Sequence, residues 1–240
     1  MNPSRNLIAH TKATFRVAFF FGSAFQALLL ALVLFLPAAS VWAETWRVGV
    51  EAVVDGDTLV LRGGERLRLR GIDAPEVLHK DKPGQYYGTE SMKVLSSLVT
   101  GQDLFLDKAE LDTDRYGRLV GMARLGDGRV LNLTMIEEGA AFVYPHSSDK
   151  DSGMARKFFA AQVSAIGRGN GFWPRVLGSP EASTGFVGTR SSRRFHTLAC
   201  PLGREIKVRN RVTFSSLRDA FTAGYAPARE CTSWPLVKGR

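Results

Sequence analysis

Cysteine is scarce in this chain: two residues in 240, at positions 200 and 231. That excludes a scaffold stapled by several disulfides, so the main fold must rest on a hydrophobic core. Acid is missing from the first 43 residues, whose formal charges are Arg5, Lys12 and Arg16. A long apolar run occurs there, Val17 to Leu36, followed by Pro37-Ala38-Ala39-Ser40 and Val41-Trp42-Ala43. A basic start, an apolar middle and a small-residue exit read as a secretory signal cut after Ala43; the other reading is an uncleaved anchor, since a run of about 20 residues can span a bilayer. Either way the folded part is expected outside the cytoplasm, exported to periplasm or medium.

Charge is unevenly spread. Of the formal +9, residues 44–175 hold 18 Lys/Arg against 19 Asp/Glu, and residues 176–240 hold 11 against 4. The basic character of the mature chain therefore belongs to its C-terminal part. A basic segment either binds phosphate backbones non-specifically or serves only to solubilise.

What is there in plenty is a run of acids and arginines from Val53 to Glu76, VVDGDTLVLRGGERLRLRGIDAPE. Asp55-Gly56 and Gly63-Gly64 read as turns between short strands. Arg66-Leu67-Arg68-Leu69-Arg70 alternates with period two, which sends the leucines to a core and the arginines to a surface or cleft. Pro75 stiffens the loop that follows. Asp57 and Asp73 stand at opposite ends of a meander that folds back on itself. Two convergent carboxylates suit a hard divalent cation. A third, Glu76, would act as a base on a metal-associated water. Arginine forks hold phosphate bidentately. Taken one at a time, these residues also fit a hairpin turn, a helix cap or a solvated strand face.

Together with Asp114-Arg115-Tyr116-Gly117-Arg118, the stretch resembles the staphylococcal nuclease family, with its D-G-D-T, R-L-x-x-[IV]-D-x-P-E and D-x-Y-G-R signatures. The resemblance covers roughly Trp46 to Trp173. It implies Asp57 and Asp73 as calcium ligands, with Ala74 offering its backbone carbonyl where many relatives have Thr. It implies Glu76 as general base, Arg68 and Arg118 as groups that hold the scissile phosphate, and Asp55 in support. The activity it implies is Ca2+-dependent cleavage of DNA or RNA, leaving 3′-phosphate ends. A non-catalytic nucleic-acid-binding OB module is the alternative. Tyr116 and Tyr144 either stack on bases or are partly buried core tyrosines. No groove-reading helix or base-specific signature is present, so little sequence specificity is expected.

The fold class expected is mainly β with helices (α+β): an OB-type five-stranded barrel with about three helices over 44–175, and a small C-terminal module. Helices are expected at Thr89–Val99, at Leu133–Glu138 with Asn132 as cap, and at Met154–Ile166. A strand is expected at Asp103–Asp107. The polar stretch Val77–Gly88 reads as a loop at the rim of the site, with His79 exposed. Residues 176–193 read as a linker. Residues 194–240 resemble the small metal-binding module related to the N-terminal domain of the Ada repair protein, on His196, Cys200 and Cys231, with Ala228 where a cysteine would stand. Three ligands make a poor structural zinc site. Two cysteines in an exported module are the arithmetic of one disulfide, Cys200–Cys231, and both readings stay open. A monomer without protein partners is expected.

Overall fold

The computed structural model describes residues 44–79, 83–146, 153–231, 234 and 236–237. The expected leader, 1–43, lies outside the described residues. Among the described residues no helix is long and apolar enough to cross a membrane.

The α+β fold is built on one seven-stranded sheet. β1 (Thr45–Val53) pairs antiparallel with β2 (Thr58–Leu61) on one side and β6 (Asp103–Asp107) on the other. β2 turns through Gly63 and Gly64, both at positive φ, into β3 (Arg66–Leu69), which pairs antiparallel with it. Only glycine enters such a turn without strain. β3 then pairs parallel with β8 (Leu119–Gly121), whose outer neighbour is β7 (Asp112–Thr113). β9 (Ala123–Arg124) closes the other edge against β6. Along β3 the leucines fill the core: Leu67 and Leu69 are fully buried, beside Leu59, Leu61, Leu104 and Leu106.

Four helices follow the sheet or cover it: α1 (Gly88–Val99), α2 (Leu131–Glu137), α3 (Gly153–Arg168) and the short α4 (Trp173–Leu177). α1 and α3 fall where the apolar spacing places them. α2 starts earlier than expected, and this corrects the reading of Asn132. Val130 is the N-cap and Asn132 lies inside the helix, fully buried. Its side chain accepts from Ala123 N–H and donates to the carbonyls of Arg70 and Gly121. It thus ties three chain segments rather than capping one. Two further pairings frame the site. β4 (Ile72–Asp73) pairs with β10 (Phe142–Val143), with Asp73 opposite Phe142.

No linker separates the C-terminal residues from the rest, which corrects the expectation for 176–193. That segment carries the 3-10 turn Pro180–Ser183 and β11 (Phe186–Thr189), an inner strand of a second sheet. The sheet's order is β13 (Arg211–Phe214), β11, β12 (Arg194–Thr197), β14 (Ala226–Pro227). Helix α5 (Pro201–Arg204) follows β12, and α6 (Leu217–Thr222) follows β13. The reason is aromatic burial. Phe142, Phe172 and Trp173 pack with Phe186, Phe195, Phe221 and Trp234 in one cluster. The Gly-, Ser- and Thr-rich composition of 177–192 hid Phe186, which is fully buried there. Residues 43–240 form one compact unit. Finally, β15 (Leu236–Val237) pairs antiparallel with β5 (Gly84–Gln85), a strand inside the expected rim loop.

Candidate active site

The site is built where β3 ends and β4 begins. The Asp55-Gly56-Asp57 loop is an Asx-type turn, with Asp55 Oδ1 accepting from Asp57 N–H at 3.0 Å. Gly56 is needed for packing: a Cβ there would meet Ser91 Oγ of α1 at 1.9 Å. The loop is thereby pressed onto α1, and Asp57 ends up only 4% exposed. Asp57 Oδ1 accepts from Thr58 Oγ1 at 2.9 Å, and Oδ2 from Ala74 N–H at 2.8 Å.

Asp73 arrives from the other end of the meander. Arg68, itself buried, joins the two acids: Nη1 pairs with Asp57 Oδ1 and Nη2 with Asp73 Oδ1. Nη2 also donates to the Ile72 carbonyl at 3.2 Å. Arg68 is therefore not on an outer strand face, because the two acid-bearing loops cover it. The other arginines of the run part from it. Arg66 is exposed, and Arg70 pairs with Asp112 at 2.6 Å. Burial pushes the Asp55 carboxyl above its ordinary value, with Arg68, Thr58 and Arg118 pulling the other way.

Glu76 is exposed, three residues on. Its amide donates to Gln85 Oε1 at 2.9 Å, which ties the loop to β5. Asp73, Ala74 and Glu76 line one cleft of about 210 Å³. Arg118 sits on the β7–β8 turn, held by Asp114 through Nε at 2.8 Å and Nη2 at 2.7 Å. It is close enough to influence Asp55, but its donors here go to Asp114. Tyr116 is 65% exposed, with Arg115 and Arg118 over its ring at 4.8 and 5.4 Å. Tyr144 is half-buried, and Arg194 lies over its ring at 3.5 Å. His79 is exposed.

Of the two readings of the C-terminal module, the structure shows the disulfide. Cys200 and Cys231 are joined, with Cα atoms 6.0 Å apart. The candidate ligand atoms of His196, Cys200 and Cys231 do lie within 4.8 Å of one another. A zinc site uses thiolates, though, and the bond consumes both. Burial holds His196 below its ordinary pKa, with Glu230 opposing.

Sequence reasoning missed Arg229. Its Nη2 lies 3.2 Å from Asp73 Oδ1, across 156 residues of chain. Its guanidinium is also 5.6 Å from the Tyr144 ring centre. Pro227, Ala228, Arg229 and Trp234 form one wall of the Asp73–Glu76 cleft. The C-terminal excess of positive charge was the one signal, and it names no residue. Asp57 and Asp73 with the Ala74 carbonyl offer only oxygens, a donor set that fits a hard divalent cation and not a soft one.

An OB-type α+β fold with carboxylates and guanidiniums gathered at a strand end defines a class suited to phosphate esters. The chain belongs to the staphylococcal nuclease family, a family of phosphodiester hydrolases. Residues 66–175 match the family described as "Staphylococcal nuclease homologue". The chain is 36% identical over 118 residues to an uncharacterized endonuclease of Escherichia coli O157:H7, 48% of this chain and 72% of that protein. It is 35% identical over 95 residues to the thermonuclease of Staphylococcus intermedius, 38% of this chain and 56% of that one. It is 28% identical over 201 residues to Endonuclease YhcR of Bacillus subtilis (strain 168), 73% of this chain. It spans 16% of YhcR's own length.

Proposed function

We propose that the protein is an exported, Ca2+-dependent endonuclease that hydrolyses DNA or RNA with little sequence specificity and leaves 3′-phosphate ends. The observation that carries this reading is the convergence of Asp57 and Asp73 on Arg68, with Glu76 in the same cleft as Asp73. Relatives named endonuclease and thermonuclease support it. Asp57, Asp73 and the Ala74 carbonyl would hold the cation, which when bound polarises a phosphoryl oxygen and offsets its charge. Glu76, exposed and tied to Gln85 through its backbone amide and carbonyl, takes the proton from the attacking water. Arg68 and Arg118 hold the scissile phosphate and stabilise the extra charge of its pentacoordinate state. Both must exchange a partner for phosphate to do so: Arg118 gives up Asp114, and Arg68 one of its contacts to Asp57, Asp73 and the Ile72 carbonyl. Asp55 fixes the Asp57 loop. Tyr116, exposed between two arginines, is the better placed of the two tyrosines to stack on a base. The Arg194 guanidinium already lies on Tyr144. The enzyme acts as a monomer on nucleic acid in the periplasm or medium.

The test is hydrolysis of single-stranded DNA and of RNA by the full chain, with calcium against excess chelator. Calcium-dependent cutting to 3′-phosphate ends is expected. Glu76→Gln is expected to lower kcat by about 10²–10⁴-fold with binding retained. Binding without cutting under any divalent metal would shift the reading to a non-catalytic OB module, and undiminished cutting by Glu76→Gln would remove it as the base.

A further inference from the structure

The cleft that holds Asp73 and Glu76 has a wall that the family match does not account for. That match ends at residue 175, whereas Arg229 and Trp234 lie far beyond it. Three features anchor this wall. Cys231, two residues past Arg229, is bonded to Cys200. Trp234 is buried among Phe142 and Phe172 and donates from Nε1 to the Tyr86 carbonyl at 2.9 Å. β15 then pairs with β5, the strand that also holds the Glu76 amide through Gln85. Arg229 is thus delivered by a stapled segment and not by a free tail.

Asp73 Oδ1 carries two guanidiniums, and they are not equivalent. Arg68 is buried, its side chain 10% exposed, and its donors go to Asp57, Asp73 and the Ile72 carbonyl. Arg229 has a side chain 55% exposed and reaches Asp73 with one nitrogen at 3.2 Å. A guanidinium has five N–H donors in a planar fork, so one contact to Asp73 leaves an outward edge for a second oxyanion. Arg68 is shared between Asp57 and Asp73, so Arg229 brings the second positive charge to the acid pair, and it does so through one nitrogen of a side chain that stays 55% exposed. Of the two arginines, Arg229 is the one that lines the Asp73–Glu76 cleft.

We infer that Arg229 is a substrate-binding residue of the nuclease site: its guanidinium takes a backbone phosphate of the bound nucleic-acid strand. This rests on the nuclease reading for the identity of the strand. It adds a contact from outside the family domain and gives the C-terminal wall a function. An ordering follows from it. Arg68 and Arg229 meet on the same oxygen, Asp73 Oδ1, so the phosphate on Arg229 is a neighbour of the one being cut.

The test uses the full chain and oligothymidylate in excess EDTA, so that binding is read without turnover. Arg229→Gln is expected to weaken binding about 10-fold. It should also flatten the slope of log K against log[salt] by about 0.7, the share of one single-strand phosphate. Arg229→Lys should keep the slope and lose part of the affinity. With calcium, Arg229→Gln should raise KM and leave kcat within about threefold. A purely structural role would not move the salt slope, and Asp73 keeps Arg68, so the fold is expected to survive; near-ultraviolet circular dichroism of the tryptophans checks this. Unchanged affinity and slope would overturn the inference. Faster turnover of Arg229→Gln would overturn it too, and would mark Arg229 as a latch on Asp73. Wild-type turnover separates the two readings: if wild type binds and never cuts, the nuclease reading falls, while the effect of Arg229→Gln on affinity and salt slope in EDTA still decides the inference.

Discussion

Asp114 shows how single residues set the charge of the site. Partial burial pushes its carboxyl up, and hydrogen bonds from the Arg118 side chain and from the Arg118 and Tyr116 amides outweigh that, so it titrates below its ordinary value. The sign follows. A depressed carboxyl stabilises the fold fully above the ordinary aspartate value of about 3.9, and the contribution is lost as pH falls through the lower folded value. Carboxyl titration by NMR should therefore place Asp114 below ordinary aspartates, and Arg118→Ala should return it upward. A midpoint that Arg118→Ala leaves in place would show that the pair is not what sets it. At neutral pH Arg118 remains held by a charged partner, so substrate phosphate must compete with Asp114 for it.

At the scale of elements, α2 matters more than its seven residues suggest. Asn132 is its fully buried polar residue with three partners on β9, β8 and the end of β3. That last tie is to the carbonyl of Arg70, just after the strand that carries Arg68. Asn132→Ala strands a buried amide and two carbonyls, and is expected to cost about 2–3 kcal/mol. Urea unfolding with an unchanged m-value measures it, and a loss under about 0.5 kcal/mol would show that water replaces the side chain. The mis-assigned cap has the same origin. Asn before an apolar run signals a helix start, but Leu131 already belongs to the helix, and burial against two strands outweighs the local preference. α1 was legible because Met92, Val94, Leu95 and Leu98 stand at helical spacing; Leu95 is fully buried, and Val94 and Leu98 pack against the same core.

For the whole molecule, the second sheet and the nuclease fold share one aromatic cluster, so they are expected to unfold together. The Cys200–Cys231 bond spans 31 residues of that structure. Closing a loop of that size is worth about 3–4 kcal/mol. Thiol reduction should lower the unfolding midpoint as a single transition and, since Cys231 neighbours Arg229, weaken oligothymidylate binding in EDTA. An unchanged midpoint would mean that the aromatic cluster holds the segment without the bond.

Much of this protein is determined by local sequence. The acids and Arg68 lie within one meander of about 20 residues, and turns at glycines bring such a meander together without distant help. The alternating leucines of β3 and the spacing of α1 likewise fix their own buried faces. What only the tertiary structure decided lies at long separation. That Arg68 is covered, that Asn132 bridges strands, and that 176–193 contains an inner strand all depend on which apolar surface finds which partner. Arg229 is the extreme case: it meets Asp73 across 156 residues because Trp234, Cys231 and β15 dock its segment there. No spacing rule encodes such a contact, since long-range burial is additive over many weak contacts and leaves no periodic trace in the chain.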